Sequence, residues 1–263
     1  MSWAWKTPPA GWRAALDGLP LPAWRYYPRV GSTNDAAWAW IEQGAAEGCL
    51  VVADEQTAGR GRRGRRWHTA PRAAVAVSVV VRPLPGEEAW LSRYAAWAAL
   101  AMSEALAQWG VRVALKWPND LLLQGRKVGG VLAETRWQGE TPRAAVLGVG
   151  VNLLRGSAPR PEVLDYPAGD VESLTGRALP RPQVVAAFWQ RWAWWRPRVG
   201  SPALVAAWEQ RLAWRGQRVR VTTPAGEVLE GRVLGLDPAG GLRVHTAQGP
   251  RVVHHGGTVR PLP

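Results

Sequence analysis

The chain has 263 residues, 47% of them hydrophobic, a formal net charge of +13 and one cysteine, Cys49. That length and apolar content suit one sizeable domain plus a small one, a lone cysteine excludes an internal disulfide, and no apolar run is long enough for a signal peptide or a membrane span. The charge favours anionic ligands or partners, whether nucleotide, nucleic acid, lipid or acidic protein, and the composition is that of a cytoplasmic globular protein.

Trp24 to Val30 reads as a strand, and Ser32-Thr33-Asn34-Asp35 as a helix start running through Ala36 to about Gln43. A Ser or Thr hydroxyl caps the amides of the following turn, and Asp35 suits the positive end of the helix dipole. Leu50 to Ala53 is a second strand, and Val75, Val77, Val79 and Val81 alternate along a third. Between them Gly59 to Arg66 packs five arginines and three glycines into eight residues. Glycines let backbone amides approach a ligand, and guanidinium forks match phosphate or carboxylate oxygens in pairs, so the segment suits a polyphosphate. A solvated basic loop or a nucleic-acid patch is the plainer alternative.

Leu91, Tyr94, Ala98, Met102, Ala105 and Trp109 fall at helical spacing and predict one long helix ending at Gly110, followed by a strand from Val111 to Leu115. Lys116-Trp117-Pro118-Asn119-Asp120-Leu121 is a turn carrying a cation, an amide and a carboxylate. Leu121 to Leu123 and Lys127 to Glu134 are strands about the turn Gln124-Gly125-Arg126, with Lys127, Gly129 and Val131 expected on one face. In Leu147 to Asn152, Val149 and Val151 form a packed face while Gly148, Gly150 and Asn152 leave the other bare, as close approach of a ligand or of another backbone requires. A helix packed over those glycines is the alternative. Arg181 to Arg196 and Pro202 to Trp214 read as helices. Short alternating runs at Arg218 to Thr222, Glu227 to Leu236, Leu242 to Thr246 and Arg251 to His254 then predict a small barrel. The boundary falls near Arg215, giving units 1–214 and 215–263.

Residue usage narrows the search. Lysine occurs only at Lys6, Lys116 and Lys127 among 33 basic residues, and asparagine only at Asn34, Asn119 and Asn152, each in a segment of functional texture. The 18 tryptophans against one phenylalanine are assigned mostly to packing. His68, His245, His254 and His255 lie in dissimilar contexts and offer no cluster of metal spacing. Nucleophile motifs and a Walker loop are absent. A mobile Arg/Gly loop, two neighbouring lysines, Asp120 as a magnesium ligand and a glycine floor suit adenylation of a carboxylate, in which the protein aligns the reactants, neutralises charge and excludes water.

The segments GSTND (Gly31 to Asp35), ADEQTAGRGRRGRRW (Ala53 to Trp67), KWPNDL (Lys116 to Leu121), RKVGGVLAE (Arg126 to Glu134) and GVGVNL (Gly148 to Leu153) together resemble the ordered motif set of biotin-protein ligases. Lipoate ligases share that fold, but the Arg/Gly loop and KWPND are similar to the biotin branch. The resemblance implies an α+β fold, with a mixed-sheet catalytic domain of the class II aminoacyl-tRNA-synthetase/biotin-ligase type followed by an SH3-like β-barrel. It implies that biotin and MgATP give biotinyl-5'-AMP, whose biotinyl group passes to a lysine of a biotin carboxyl carrier domain. On that basis Lys127, Arg62, Lys116 and Asp120 are the expected catalytic group, Asp120 holding Mg2+. Biotin is expected against Ser32, Thr33, Asn34, Gln56, Gly59, Arg60, Gly61, Arg62, Lys127, Gly130, Gly148 and Gly150. ATP is expected against Arg60, Arg62, Arg65, Trp67, Asn119, Lys127 and Asn152. Some family members carry an N-terminal operator-binding domain of roughly sixty residues; only thirty precede Gly31 here, so DNA is not an expected partner. Homodimerisation is left open and no membrane contact is expected. The rival readings are a nucleic-acid-binding module using the Arg/Gly loop and a basic barrel, and a ligase of the same fold for another acid such as lipoate.

Overall fold

The computed structural model describes residues 4–159, 166–254 and 257–262, so His255 alone of the residues named above lies outside them. Strands β1 (Trp24–Tyr27), β2 (Leu50–Ala53), β3 (Ala74–Val81), β4 (Ala114–Lys116), β5 (Asp120–Leu123), β6 (Arg126–Gln138) and β7 (Thr141–Asn152) form one sheet in the order β1-β2-β3-β7-β6-β5-β4. Only β1 and β2 run parallel; the other neighbours are antiparallel, which makes the sheet mixed as expected. Helices α1 (Ala10–Leu16), α2 (Thr33–Ile41), α3 (Tyr94–Ala107), α4 (Val171–Thr175), α5 (Arg181–Trp195) and α6 (Pro202–Gln210) surround it. A second, wholly antiparallel sheet follows, in the order β11-β10-β9-β8-β12, built from β8 (Arg218–Thr222), β9 (Val228–Leu236), β10 (Leu242–Thr246), β11 (Gly249–Val253) and β12 (Thr258–Pro261).

The run AVAVSVVV of β3 explains the layering. All eight residues are buried, and the alternation divides them between two faces. Val75, Val77, Val79 and Val81 join Leu147, Val149 and Val151 in a core shared with α3 and α5, where the Trp97 and Trp192 rings stack at 4.8 Å. Each such valine contributes about 1.5 kcal/mol or more by leaving water. On the reverse face α2 lays Ala37, Trp40 and Ile41 over Val51, Ala53, Val80, Ala144 and Val146. That helix begins over Gly148, and the sheet face beyond it, toward Gly150 and Asn152, borders a cavity. The larger core continues without a break through Trp208 and Leu212 into Val219, Val221 and Val233 of the second sheet.

Several expected elements shift. The helix predicted from Leu91 starts at Tyr94, behind a 3-10 turn over Glu87–Arg93, and the one predicted to Trp214 stops at Gln210. The strand expected from Val111 shortens to β4. The short elements α1, α4 and β12 were not anticipated; β12 is an edge strand of four residues ending in proline, too brief for periodicity to register. Lys127, Gly129 and Val131 do not share a face. Leu121 pairs with Gly129 but Leu122 with Lys127, so Val128 is an extra residue in β6 and the alternation resets across this bulge. Lys127 then faces the cavity beside Gly130, whereas a Cβ on Gly129 would meet Leu121 and Val151 in the core.

Candidate active site

A cavity of about 970 Å³ lies between the uncovered half of the first sheet, the start of α2, the Arg/Gly loop and the turn joining β4 to β5. Every residue assigned a site role from the sequence borders it, and Thr258 reaches its rim from the second sheet.

One end is a neutral hydrogen-bonded ring. Ser32 caps α2, accepting from Asn34 N at 3.3 Å. Gln56 Oε1 accepts from Thr33 N at 2.8 Å and lies 3.0 Å from Thr33 Oγ1, while Gln56 Nε2 donates to Thr69 Oγ1 at 3.1 Å. Ser78 Oγ donates to Asn34 Oδ1 at 2.6 Å and lies 2.8 Å from Thr33 Oγ1. Asn34 Nδ2 donates to Glu134 Oε2 at 3.0 Å and reaches Leu132 O at 3.5 Å. The glycine face of β7 is therefore not bare. Asn34 lies on Gly148 and the Trp67 indole on Gly150, each so close that a methyl group on the glycine would overlap it. The close approach expected of a ligand or a backbone is made by these two side chains.

The other end is charged. Asp120 sits between two ammonium groups, Lys127 Nζ at 2.6 Å from Oδ1 and Lys116 Nζ at 3.1 Å from Oδ2. Burial alone would raise the Asp120 carboxyl, but the two lysines outweigh it and hold the group below the usual carboxylate range. Burial pushes the Lys116 ammonium down, partly offset by Asp120, and the Tyr166 ring faces it at 4.6 Å. Arg62 Nη1 donates to Asn119 Oδ1 at 3.1 Å, and Asn119 Nδ2 donates to Val131 O at 2.7 Å. The half-buried Arg62 guanidinium thus bonds a neutral amide. Its affinity for its proton is lowered first by burial and then by Arg63, with Asp120 acting in the opposite direction. Asn152 Nδ2 donates to Gly169 O at 3.1 Å, whereas Asn152 Oδ1 and Trp67 Nε1 are buried without a hydrogen-bond partner among the described residues. A buried polar group left unpaired is costly, and these two atoms carry that cost where Trp67 packs on Gly150 and Asn152 ends β7.

Residues 26–152 match the Biotin/lipoate A/B protein ligase family and residues 216–259 the Biotin protein ligase C terminal domain. A biotin–acetyl-CoA-carboxylase ligase of Paracoccus denitrificans is 34% identical over 234 residues, covering 86% of this chain and 95% of that one. The chain belongs to the biotin protein ligase family. The bifunctional ligase/repressor BirA of Bacillus spizizenii is 31% identical over 235 residues, 87% of this chain and 71% of that protein. The fold is that of the biotin protein ligase of Aquifex aeolicus solved in complex with biotin and ATP, with a TM-score of 0.77 at 24% identity, covering 92% of this chain and 100% of that one.

In this member of the family the Arg/Gly loop is a small hairpin. Arg60 and Arg66 form an antiparallel bridge, Gly61 N donates to Arg65 O at 2.7 Å, and Trp67 N donates to Gly59 O at 2.9 Å. Gly59 is required because a Cβ there would stand 2.5 Å from Trp67 O. The tip over Arg62–Gly64 is a 3-10 turn with Arg63 at φ 59°, the left-handed region. Arg65 lies at the cavity rim, and Arg63 Nη1 donates to Thr258 Oγ1 at 3.4 Å, linking the loop to the second sheet. Arg60, expected to meet biotin and nucleotide, spends its guanidinium on Asp35, at 2.7 and 2.6 Å, and on Glu134, at 3.3 Å.

Five residues that border the cavity or bond to its lining escaped the sequence reading: Ser78, Thr69, Glu134, Tyr166 and Thr258. Ser78 carried a signal, as the single polar residue in an eight-residue apolar strand. Glu134 stood in a quoted motif but without a role, and nothing local marks Thr69, Tyr166 or Thr258. No group of three or more His, Cys, Asp or Glu side chains among the described residues could hold a metal ion, and no described helix is long and apolar enough to cross a membrane.

Proposed function

We propose that the protein activates biotin with ATP to biotinyl-5'-AMP and transfers the biotinyl group to a lysine of a carrier protein. The observation that carries this reading is the position of Lys127. Its ammonium stands 2.6 Å from Asp120 and 5.9 Å from the centre of the Trp67 ring, on the same face as Gly130, where the neutral and charged ends of the cavity meet. An acid seated at the neutral end presents its carboxylate there, against the α-phosphate of a nucleotide held at the charged end. A carboxylate oxygen forms a bond to the α-phosphorus and the bond to the bridging oxygen breaks, pyrophosphate leaving with the electron pair. Lys127 and Arg62 neutralise the charge gathered at the α-phosphate and supply no proton. A compact ammonium on a flexible stem follows that charge better than a rigid fork. In the second step the acceptor amine attacks the acyl carbon and AMP departs.

Trp67 and Asn152, which border the charged end of the cavity, are the residues we assign to the base, and the unpaired indole N–H and amide oxygen support that reading once a nucleotide shifts the Trp67 ring. Asp120 is the only carboxylate bordering the cavity among the described residues. Mg2+ bound chiefly by nucleotide phosphates needs only one or two protein carboxylates, so Asp120 would be the residue to hold a cation arriving with ATP, in exchange for one of its two lysine contacts, and the cation would offset the charge of the pyrophosphate. The positive surface suits an acidic carrier domain, which would be steered toward the site. Biotin-dependent ATP–pyrophosphate exchange tests the reading, with lipoate and octanoate as parallel acids. Exchange with biotin alone is expected; exchange with lipoate instead would move the protein to the other acid, and exchange with none would refute adenylation.

A further inference from the structure

The Glu134 carboxylate is divided between two parts of the site that meet nowhere else in sequence. Its Oε2 accepts from Asn34 Nδ2 at 3.0 Å and from Trp38 Nε1 at 3.1 Å, which fixes the Asn34 amide over Gly148. Its Oε1 accepts from Arg60 Nη2 at 3.3 Å, and Arg60 is also gripped from the start of α2 by both oxygens of Asp35. One carboxylate therefore touches the wall of the neutral end and the Arg/Gly loop that covers it. The opposite side of the loop is tied differently, through Arg62 to Asn119 and Arg63 to Thr258.

Exposure separates this contact from the permanent ion pairs of the fold. Arg181 and Asp54, 2.9 Å apart, are each 8% exposed, as befits a fixed strut. Arg60, Asp35 and Glu134 are 39%, 55% and 28% exposed, so water can replace each partner and the contact can open at small cost. The paired Asp35 oxygens still give the closed form a defined geometry.

We propose that Glu134, with Asp35, is a positioning residue that clasps Arg60 and so holds the Arg/Gly loop closed over the acid and its adenylate. Arg60 then acts through its backbone placement, and its side chain is no ligand of the nucleotide phosphates. The clasp rests on the adenylating reading for its kinetic consequence but not for its existence. Opening it releases the loop beside the neutral end and leaves Lys116, Lys127 and Asp120 untouched. The effect therefore falls first on acid affinity and adenylate retention and less on ATP, because Arg62 keeps its own tie to Asn119.

Glu134→Gln is the informative variant, because the amide oxygen can still accept from Asn34 and Trp38 while the charge facing Arg60 is gone. Asp35→Ala, at an exposed position bonded to Arg60, is its companion. Each is expected to raise KM for biotin and the escape of biotinyl-5'-AMP by roughly three- to tenfold, the worth of a charge-assisted surface contact, with a smaller change in KM for ATP and, in Glu134→Gln, an unchanged melting temperature. Limited trypsin digestion without ligand is expected to cut faster after Arg62, Arg63, Arg65 and Arg66 by a similar factor. The double variant should exceed either single one by less than the product of the two, since both grip one guanidinium. Unchanged digestion and unchanged KM for biotin in Glu134→Gln, or an equal rise in KM for ATP, would overturn the clasp. If the wild-type protein shows no exchange with any acid, the adenylating reading fails, and the digestion pattern still decides the clasp.

Discussion

At the neutral end of the cavity Thr33, Asn34, Gln56 and Ser78 spend their hydrogen-bonding capacity largely on one another; at the other end Lys116 and Lys127 flank one carboxylate, Asp120, Arg62 bonds the neighbouring Asn119, and two buried polar atoms have no partner among the described residues. The first end is preorganised. Its shape is set before any ligand arrives, and errors there are errors of packing. The second end is electrostatically incomplete, and in the proposed reaction the incoming phosphates finish it. On the proposed reading a single fold thus joins a recognition surface with its bonds already made to a reaction surface with its bonds still open, and Lys127 stands at the seam.

The comparison can be broken most severely at that seam. Lys127→Arg keeps the charge but replaces a point cation with a rigid fork, and is expected to lower biotin-dependent exchange by about a hundredfold or more; a rate within about threefold of wild type would mean the seam needs charge alone. A matched pair of glycine variants separates the two ends. Gly148→Ala pushes on Asn34 and should raise KM for biotin by about tenfold or more, whereas Gly150→Ala pushes on Trp67 and should act chiefly on KM for ATP. Steady-state kinetics in both substrates checks this, and equal effects from the two variants would erase the division. Ser78→Ala leaves Asn34 Oδ1 without its buried donor and is expected to cost about 1–3 kcal/mol of stability by urea denaturation, with ATP affinity retained. The smallest effect concerns acid. The folded-state affinity of Asp120 for a proton is depressed, so its stabilisation is complete above its unfolded value of about pH 4 and is lost as pH falls through the lower folded value. Asp120→Asn should flatten that part of the acid limb in a pH series of melting temperatures.

Much of this division could be read along the chain. The rationing of lysine and asparagine pointed to six residues, of which Lys116, Lys127, Asn34, Asn119 and Asn152 border the cavity while Lys6 pairs with Tyr26 instead. The two glycines of β7 announced a close approach, because glycine inside a strand weakens it unless something must come near. What came near was unreadable: Asn34 and Trp67 reach the same strand from separate segments. The facing of Lys127 was misjudged for a related reason. Period two holds only while the pairing is regular, and the extra residue at Val128 is a property of the β5 and β6 ladder, which sequence alternation cannot register.

Amino-acid order by itself determined most of the elements, the ordered motifs and the chemical character of the site, since these rest on periodicity, turn chemistry and the choice of lysine over arginine, all local quantities; the mixed sheet was legible only through the family resemblance that the motifs carry. Tertiary structure alone decided which polar atoms are satisfied and which are left open. Ser78 became the donor to Asn34, Glu134 the link between pocket wall and loop, and Arg60 a clasped side chain through contacts between residues 44, 100 and 74 positions apart. Hydrogen-bond satisfaction depends on what burial brings together, and burial is settled only when the sheet, its helices and the loop close on one another.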